Sequence, residues 1–214
     1  MSIKIEVWGD QACFTRPEMK AERVTYDIMT PSAARGILEA IYWHPGLSYH
    51  IDKIYLLKPI RFTNIRRNEV KSVLSARSAL TALQNGKILS SYSSADRQQR
   101  ASMILRDVHY VIEAHFTITD QASPGDNPGK FLSIIKRRLS NGQCYHQPYF
   151  GCREYPAHFR EWPGGEIPAL PVTQDLGFML YDMDYNNPEN IKPRFFRAKL
   201  IDGVMTTSEC EVYT

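Results

Sequence analysis

The chain has few cysteines, and the four that it has form no close pair. Cys13, Cys144, Cys152 and Cys210 contain no Cys-x-x-Cys spacing and no dense framework. The first residues, from Met1, do not have the features of a secretory signal peptide. These features predict a protein of the reducing cytoplasm rather than a disulfide-stabilised secreted one. No apolar run is long enough to cross a bilayer, so we expect no membrane association.

The sequence also lacks the short motifs that mark several enzyme classes. There is no P-loop, no GxSxG and no HExxH, so no sequence motif indicates a Ser/His hydrolase. Four residues form a loose Cys/His group whose spacing matches no zinc site: Cys144, His146, Cys152 and His158. We therefore expect no metal and no cofactor.

What is present is a composition that can bury a core, with an uneven distribution of charge. The 214 residues are 43% hydrophobic and 23% charged, and the net charge is only +3. Between residues 61 and 106 there are nine Lys/Arg against two acids, whereas residues 162–214 carry eight acids against four bases. This asymmetry indicates a basic region that binds a polyanion and a more acidic C-terminal part.

A helix that begins after Thr30 and ends before Pro45-Gly46 is the clearest local pattern. Thr30 is a suitable N-cap and Pro31 a suitable first residue. Apolar residues then recur at helical spacing: Ala34, Ile37, Leu38 and Ile41. Tyr42 is therefore expected in the last turn, where its side chain can point towards a ligand.

The remaining pattern predicts an α+β protein of two parts. Strands are predicted at 3–7, 50–57, 107–119 and 149–155, and a second helix at 130–139. The order strand, helix, strand, strand, helix, strand is ferredoxin-like (βαββαβ) and would occupy residues 1–155, with a basic insertion at about 66–103. Residues 156–214 are expected to be a β-rich extension with a strand at 176–181. It would end in a hairpin of 195–201 with 204–212 around Asp202-Gly203.

The second helix offers a phosphate-binding group that could face Tyr42. Its start follows a loop rich in Gly, Pro and Asn, and Lys130 stands in its first turn. Free N–H groups, the helix dipole and an ammonium together favour a phosphate there. In a ferredoxin-like fold both helices cover the same face of the sheet, so Tyr42 and Lys130 could approach each other. An exposed Lys on a surface helix is the plainer interpretation of the sequence alone.

Several separate motifs, in the same order, resemble a known family. They are Gly9-Asp10 with Phe14-Thr15, the run from Thr30 to Trp43, Lys58-Pro59-Ile60, Asp107-Val108-His109-Tyr110 with Ala114-His115-Phe116, and Phe150-Gly151-Cys152-Arg153-Glu154. Together they resemble the CRISPR-associated "Cas-five" proteins of the RAMP superfamily, and most closely subtype d of type I-C systems. The resemblance covers most of residues 1–160 and continues at 177–185.

This resemblance implies an endoribonuclease that cuts precursor CRISPR RNA in its repeat without a metal. It implies 2′-OH attack, which leaves a 2′,3′-cyclic phosphate and a 5′-OH, and retention of the 5′ handle of the mature RNA. The expected partners are that RNA and the backbone and large subunits of the type I-C surveillance complex. The family's catalytic Tyr and Lys fall on Tyr42 and Lys130, but Phe131 stands where the family has a His. His146, His44 or His158 could replace it, and we expect His146.

RNA contacts are expected from basic and aromatic residues of the same motifs and loops. They are Arg16, Lys20, Arg23, Arg35, Arg137, Arg138, Arg153 and Tyr149. Two other functions remain open at this point. The protein could be a scaffold that binds the 5′ handle without cutting, which the Phe131 departure favours. It could also be a metal-dependent nonspecific DNase, an alternative that has little support beyond the weak Cys/His group.

Overall fold

The computed structural model describes residues 2–19, 21–185 and 187–214. These residues form nine strands and three helices. The strands are β1 (Ser2–Ala12), β2 (Leu47–Leu56), β3 (Phe62–Val70), β4 (Arg97–Ile118), β5 (His158–Glu161), β6 (Gln174–Asp184), β7 (Lys192–Leu200), β8 (Val204–Thr206) and β9 (Val212–Tyr213). The helices are α1 (Pro31–Ile41), α2 (Ala76–Gln84) and α3 (Pro128–Ser140).

Two antiparallel sheets contain these strands. The first has the order β5-β1-β4-β2-β8, and β3 pairs with the first half of β4. The second has the order β6-β7-β9. The predicted α+β class is confirmed. The ferredoxin-like description remains an interpretation of the element order.

Helices α1 and α3 cover one face of the first sheet and contact each other. The buried side of α1 consists of the residues that its spacing predicts, and Thr30 Oγ1 caps it by accepting from the Ala33 N–H at 3.2 Å. Phe131 of α3 is fully buried, with its ring centroid 6.3 Å from that of Phe116 on β4. Alternating apolar residues of β1, β2 and β4 complete this core. The ends of α1 and α3 therefore meet above the sheet.

Four strand predictions need correction. Strand β1 extends beyond the predicted 3–7 to Ala12, because its pairing with β4 continues to Leu105. Gly9 lies against Phe150 and the Pro156 carbonyl, where a side chain would not fit. The predicted fourth strand at 149–155 is wrong: these residues form turns and one isolated bridge, and the strand lies at His158–Glu161. Strand β4 begins ten residues earlier than predicted.

The fourth correction concerns the C-terminal hairpin. The tight turn exists, with positive φ at Asp202 and Gly203 and paired hydrogen bonds between Ile201 and Val204. Beyond the turn, however, β8 joins the first sheet through β2, and β9 pairs with β7. The division of the chain at residue 155 stays a prediction. Strands β5 and β8, although C-terminal to that residue, are hydrogen-bonded into the first sheet.

The predicted basic insertion is an arm rather than a loop. Strand β3 and residues 97–105 of β4 pair along their length, and α2 lies at the far end. The arm buries no side chain of α2. Within the described part of the chain, no helix has the length and apolar character needed to cross a membrane.

Candidate active site

Tyr42 has a fixed ring and a free hydroxyl. It is the C-cap of α1: its N–H donates to Leu38 O at 2.9 Å, and its carbonyl accepts from Tyr49 Oη at 2.8 Å. Its ring lies beside Phe131, with centroids 6.3 Å apart, and under the Arg138 guanidinium at 5.0 Å. The residue is only 8% exposed, yet its hydroxyl has no hydrogen-bond partner among the described residues and is not enclosed. Such a hydroxyl can bond to a ligand.

Lys130 is held at the start of α3 by an acidic loop residue. Asn127 caps the helix, and its Oδ1 accepts from the Lys130 N–H at 2.9 Å. Lys130 Nζ donates to Asp126 Oδ1 at 2.7 Å, while Asp126 Oδ2 accepts from the Ser123 N–H at 2.8 Å. The Asp126 side chain is 1% exposed and that of Lys130 is half exposed. The ammonium is therefore held in position by Asp126, and its exposed side is open to a ligand.

His44 joins the same group through Asp126. Its Nδ1 accepts from the Gly46 N–H at 3.0 Å, which places the proton of the neutral ring on Nε2. That Nε2 lies 3.8 Å from Asp126 Oδ2, and the His44 ring centroid is 5.1 Å from that of Phe131. Asp126 thus lies between His44 and Lys130. The spacing of Asp126 and Lys130, four residues apart across a helix start, was the available sequence signal for this pair.

The electrostatics of the group determine the ionisation of Tyr42 and Lys130. Burial raises the pKa of its phenol, and the opposing effect of Lys130 and Arg138 is smaller. The ammonium therefore does not make Tyr42 a base near neutral pH. The hydrogen bond to Asp126 raises the pKa of Lys130, and the same bond lowers the pKa of Asp126. In the free protein the site contains a neutral phenol and a paired ammonium.

His146, the histidine expected to complete the site, has other neighbours. Its ring lies beside those of Tyr145 at 5.9 Å and Tyr149 at 6.3 Å, and its Nδ1 lies 3.3 Å from Gln147 O. Its backbone N–H is 3.3 Å from Ala40 O, so it stands near the end of α1. No contact joins its ring to Lys130 or Asp126 within the described ranges. His44 has such a contact.

Three of the predicted RNA-binding arginines are engaged with carboxylates. Arg16 NH2 lies 3.3 Å from Asp27 Oδ2. Arg23 NH1 donates to Glu154 Oε1 at 2.7 Å. Arg35 binds both oxygens of Asp182 on β6, at 3.0 and 2.8 Å, and also Glu39 at 2.7 Å. These side chains connect elements of the fold, and RNA would have to compete with those carboxylates.

Among the other predicted RNA-binding residues, Arg138 contacts Tyr42 directly. Arg138 donates to Ile41 O in addition to lying over the Tyr42 ring. Arg137 and Arg153 are exposed, and Tyr149 is half-buried against His146. Lys20 lies outside the described residues.

The loose Cys/His group does not converge. Cys152 contacts Arg23 and Cys13, whereas the His158 ring stacks on that of Trp8 at 5.8 Å. In the described ranges, no three His, Cys, Asp or Glu side chains are close enough to share a metal ion. The DNase alternative therefore gains no support from the geometry.

Comparisons with known proteins agree on one family. Residues 2–207 match the Cas5d profile of the family described as CRISPR-associated protein (Cas_Cas5). The chain is 47% identical over 211 residues to a protein of Mannheimia succiniciproducens, covering 95% of this chain and 93% of the relative. It is 41% identical over 218 residues to one of Thermus thermophilus, covering 94% and 89%. Both relatives are named CRISPR pre-crRNA endoribonuclease Cas5d.

Solved structures share the fold. A crystal structure of a CRISPR-associated protein matches all of this chain and 97% of its own, with a TM-score of 0.70 and 22% identity. A chain from a CRISPR RNA-guided surveillance complex matches all of this chain and 89% of its own, with a TM-score of 0.51 and 12% identity. From the family profile and the two relatives, we conclude that this chain belongs to the Cas5d family of CRISPR-associated proteins.

Proposed function

We propose that this protein cuts precursor CRISPR RNA in its repeat by attack of a 2′-OH on the adjacent phosphate, without a metal. The observation that carries the proposal is the free hydroxyl of the fixed Tyr42 ring within the electrostatic field of Lys130. The names of the two relatives supply the substrate class. One bond forms, from the 2′ oxygen to phosphorus, and one breaks, from phosphorus to the 5′ oxygen. The products are a 2′,3′-cyclic phosphate and a 5′-OH.

Each group of the site has a role in this scheme. The Lys130 ammonium stabilises the charge that develops on the phosphate oxygens. The Tyr42 hydroxyl orients the 2′-OH by hydrogen bonding. Because its pKa is raised, it does so as a neutral phenol, and the proton of the 2′-OH is lost to water. Tyr42 and Lys130 are thus proposed as catalytic residues.

We assign the proton that the 5′ oxygen takes up to His44 in its imidazolium form rather than to His146; the ring then returns to its neutral form and is protonated again from water. His44 Nε2 lies 3.8 Å from Oδ2 of Asp126, which also holds Lys130, so His44 belongs to the same group of side chains. The ring of Phe131, which stands where the family has a His, contacts His44. His44, which follows α1, would therefore donate the proton that a histidine at position 131 of α3 would otherwise donate.

Incubation of the purified protein with its repeat RNA in EDTA tests the proposal. We expect cleavage at one position, a cyclic phosphate at the new 3′ end, and complete loss of cleavage when the nucleotide 5′ of the cut is 2′-deoxy. Normal cleavage of the deoxy substrate would overturn the mechanism. Cleavage that appears only with added divalent metal would overturn the metal-independent part.

Tight binding without cleavage would support the second candidate function, a scaffold for the 5′ handle. The observation that favours it is Phe131, because a fully buried phenylalanine cannot transfer a proton. In both cases we propose that the protein stays bound to the 5′ handle in a type I-C surveillance complex with its backbone and large subunits. The cytoplasmic location stays a prediction.

A further inference from the structure

Two large aromatic rings stand exposed at the end of α1, beside the candidate site. Trp43 is 59% exposed and Tyr145 is 80% exposed. Trp43 follows Tyr42 directly, and the Tyr145 N–H donates to Ala40 O at 2.9 Å. The backbone of both residues is therefore attached to the end of α1.

The backbone at the helix end explains why Trp43 faces solvent. Tyr42 leaves the helix in an extended conformation, with φ −150 and ψ 116. Successive side chains of an extended backbone point in opposite directions, so the inward Tyr42 turns Trp43 outward. No described residue places a ring or a charged group against the Trp43 indole. An exposed tryptophan of this kind has an apolar face available for a partner.

The charge around these rings indicates the occupant. At the end of α1, the Arg138 guanidinium lies 5.0 Å from the centre of the Tyr42 ring and donates to Ile41 O. The segment 126–154, which includes Tyr145, contains more basic side chains (Lys130, Lys136, Arg137, Arg138 and Arg153) than acidic ones (Asp126 and Glu154). Tyr145 is the first of three neighbouring rings. The His146 ring lies against that of Tyr145 and stacks on that of Tyr149, with an interplanar angle of 24°. Basic groups that follow a phosphate backbone, combined with open aromatic faces, are the usual features of single-stranded nucleic acid binding. A mainly basic surrounding with open aromatic faces fits an RNA strand better than an apolar protein surface.

We propose that Trp43 and Tyr145 form a stacking surface for unpaired nucleotides that flank the cleaved linkage. This inference rests on the proposed function, because it uses the same RNA and the same site. Stacking recognises the flat face of a base rather than its edge, so the surface would hold the strand in place with little sequence preference. It would also require that the repeat be unpaired at the cut.

Binding to a repeat RNA with a 2′-deoxy nucleotide at the cut tests this surface apart from catalysis. We expect Trp43→Ala to raise the Kd about tenfold, and Trp43→Phe to raise it less, because a smaller ring still stacks. The matched control is Phe178→Ala, since Phe178 on β6 is equally exposed at 59% and lies in the second sheet. That control should leave the Kd unchanged.

The decisive substrate carries abasic nucleotides on both sides of the cut. If the rings stack on those bases, the wild-type protein binds the abasic RNA more weakly than the intact RNA. On the abasic RNA, Trp43→Ala should then bind as tightly as the wild-type protein. An equal loss by Trp43→Ala on intact and abasic RNA would overturn the inference, as would unchanged binding by Trp43→Ala. If the RNA binds with this signature but is never cut, only the proposed catalytic function fails.

Discussion

Replacing Tyr42 with phenylalanine removes one oxygen atom from the candidate site and leaves the ring in place. The ring keeps its contacts with Phe131 and Arg138, and the backbone hydrogen bonds of the C-cap are unaffected. Because the hydroxyl has no partner among the described residues, its loss leaves no protein group unsatisfied. We therefore expect the free energy of unfolding to change by no more than about 0.5 kcal/mol.

The effect on cleavage should be much larger. Removing one positioned hydrogen-bonding group from a transition state costs about 10²–10³-fold in rate, or about 2.7–4 kcal/mol. We expect a decrease of that size in the single-turnover rate, measured with excess protein over repeat RNA. The Kd for 2′-deoxy RNA should stay within about threefold of the wild-type value, because the Lys130 ammonium and the Arg138 guanidinium remain.

Tyr55→Phe is the matched control for this substitution. The Tyr55 hydroxyl donates to Glu113 Oε2 at 2.7 Å, on the sheet face opposite the helices. Its loss should leave the cleavage rate unchanged. A wild-type rate for Tyr42→Phe, or an equal decrease in both variants, would refute the assignment of Tyr42. The pH dependence of cleavage gives a further check. Because the pKa of Tyr42 is raised, any inflection in the profile below a pH of about 10 should also be present in Tyr42→Phe.

Three further predictions concern side chains that the structure pairs. Asp126→Asn removes the bond that raises the pKa of Lys130, so the alkaline limb of the cleavage pH profile should move to lower pH. Arg35→Ala removes three hydrogen bonds between charged groups and should lower the free energy of unfolding by about 2 kcal/mol in urea titrations. Cys152, whose pKa the Cys13 thiol and the Arg23 guanidinium lower to about 6 against the effect of burial, should be alkylated by iodoacetamide with a half-maximal rate near that pH.

Each of these predictions has an internal comparison. Asp120→Asn, in the exposed loop before α3, should not move the pH profile; a shift in both variants would point to net charge instead of the ion pair. Arg137→Ala, on an exposed position of α3, should change stability by no more than about 0.5 kcal/mol. Burial raises the pKa of Cys210, so its alkylation should begin at higher pH than that of Cys152, and the reverse order would contradict the Cys152 prediction.

The sign of the Lys130 contribution to stability follows from the same pair. A raised pKa of Lys130 in the folded state means that the ion pair stabilises the fold fully below the ordinary lysine pKa, as long as Asp126 is ionised. This contribution is lost as pH rises through the higher folded value. The lowered pKa of Asp126 acts at the other end, since its contribution is lost only when pH falls below the usual carboxyl range. The Asp126→Asn variant should therefore be least different from wild type at the two extremes of pH.

Local sequence determined the elements whose signals lie within one or two turns of the chain. The cap at Thr30 and the apolar spacing identified the start of α1 at Pro31 and its buried side. The helix ends at Ile41, earlier than Pro45-Gly46 indicated, so Tyr42 is its C-cap rather than part of the last turn. The alternation in the second half of β4 and the turn at Asp202-Gly203 were visible for the same reason. Capping bonds and side-chain periodicity depend on neighbours a few residues apart, so they can be recognised without knowing the fold.

Tertiary structure alone decided how distant segments combine. Strand β3 has no buried residue, so it has no clear apolar signal and is specified by its pairing with β4. The meeting of His44 with Asp126 depends on the contact of α1 with α3, and the bond of Arg35 to Asp182 depends on how β6 packs against α1. Residue type gave these side chains their possible chemistry, but only the packing of separate elements selected the partner that each one has.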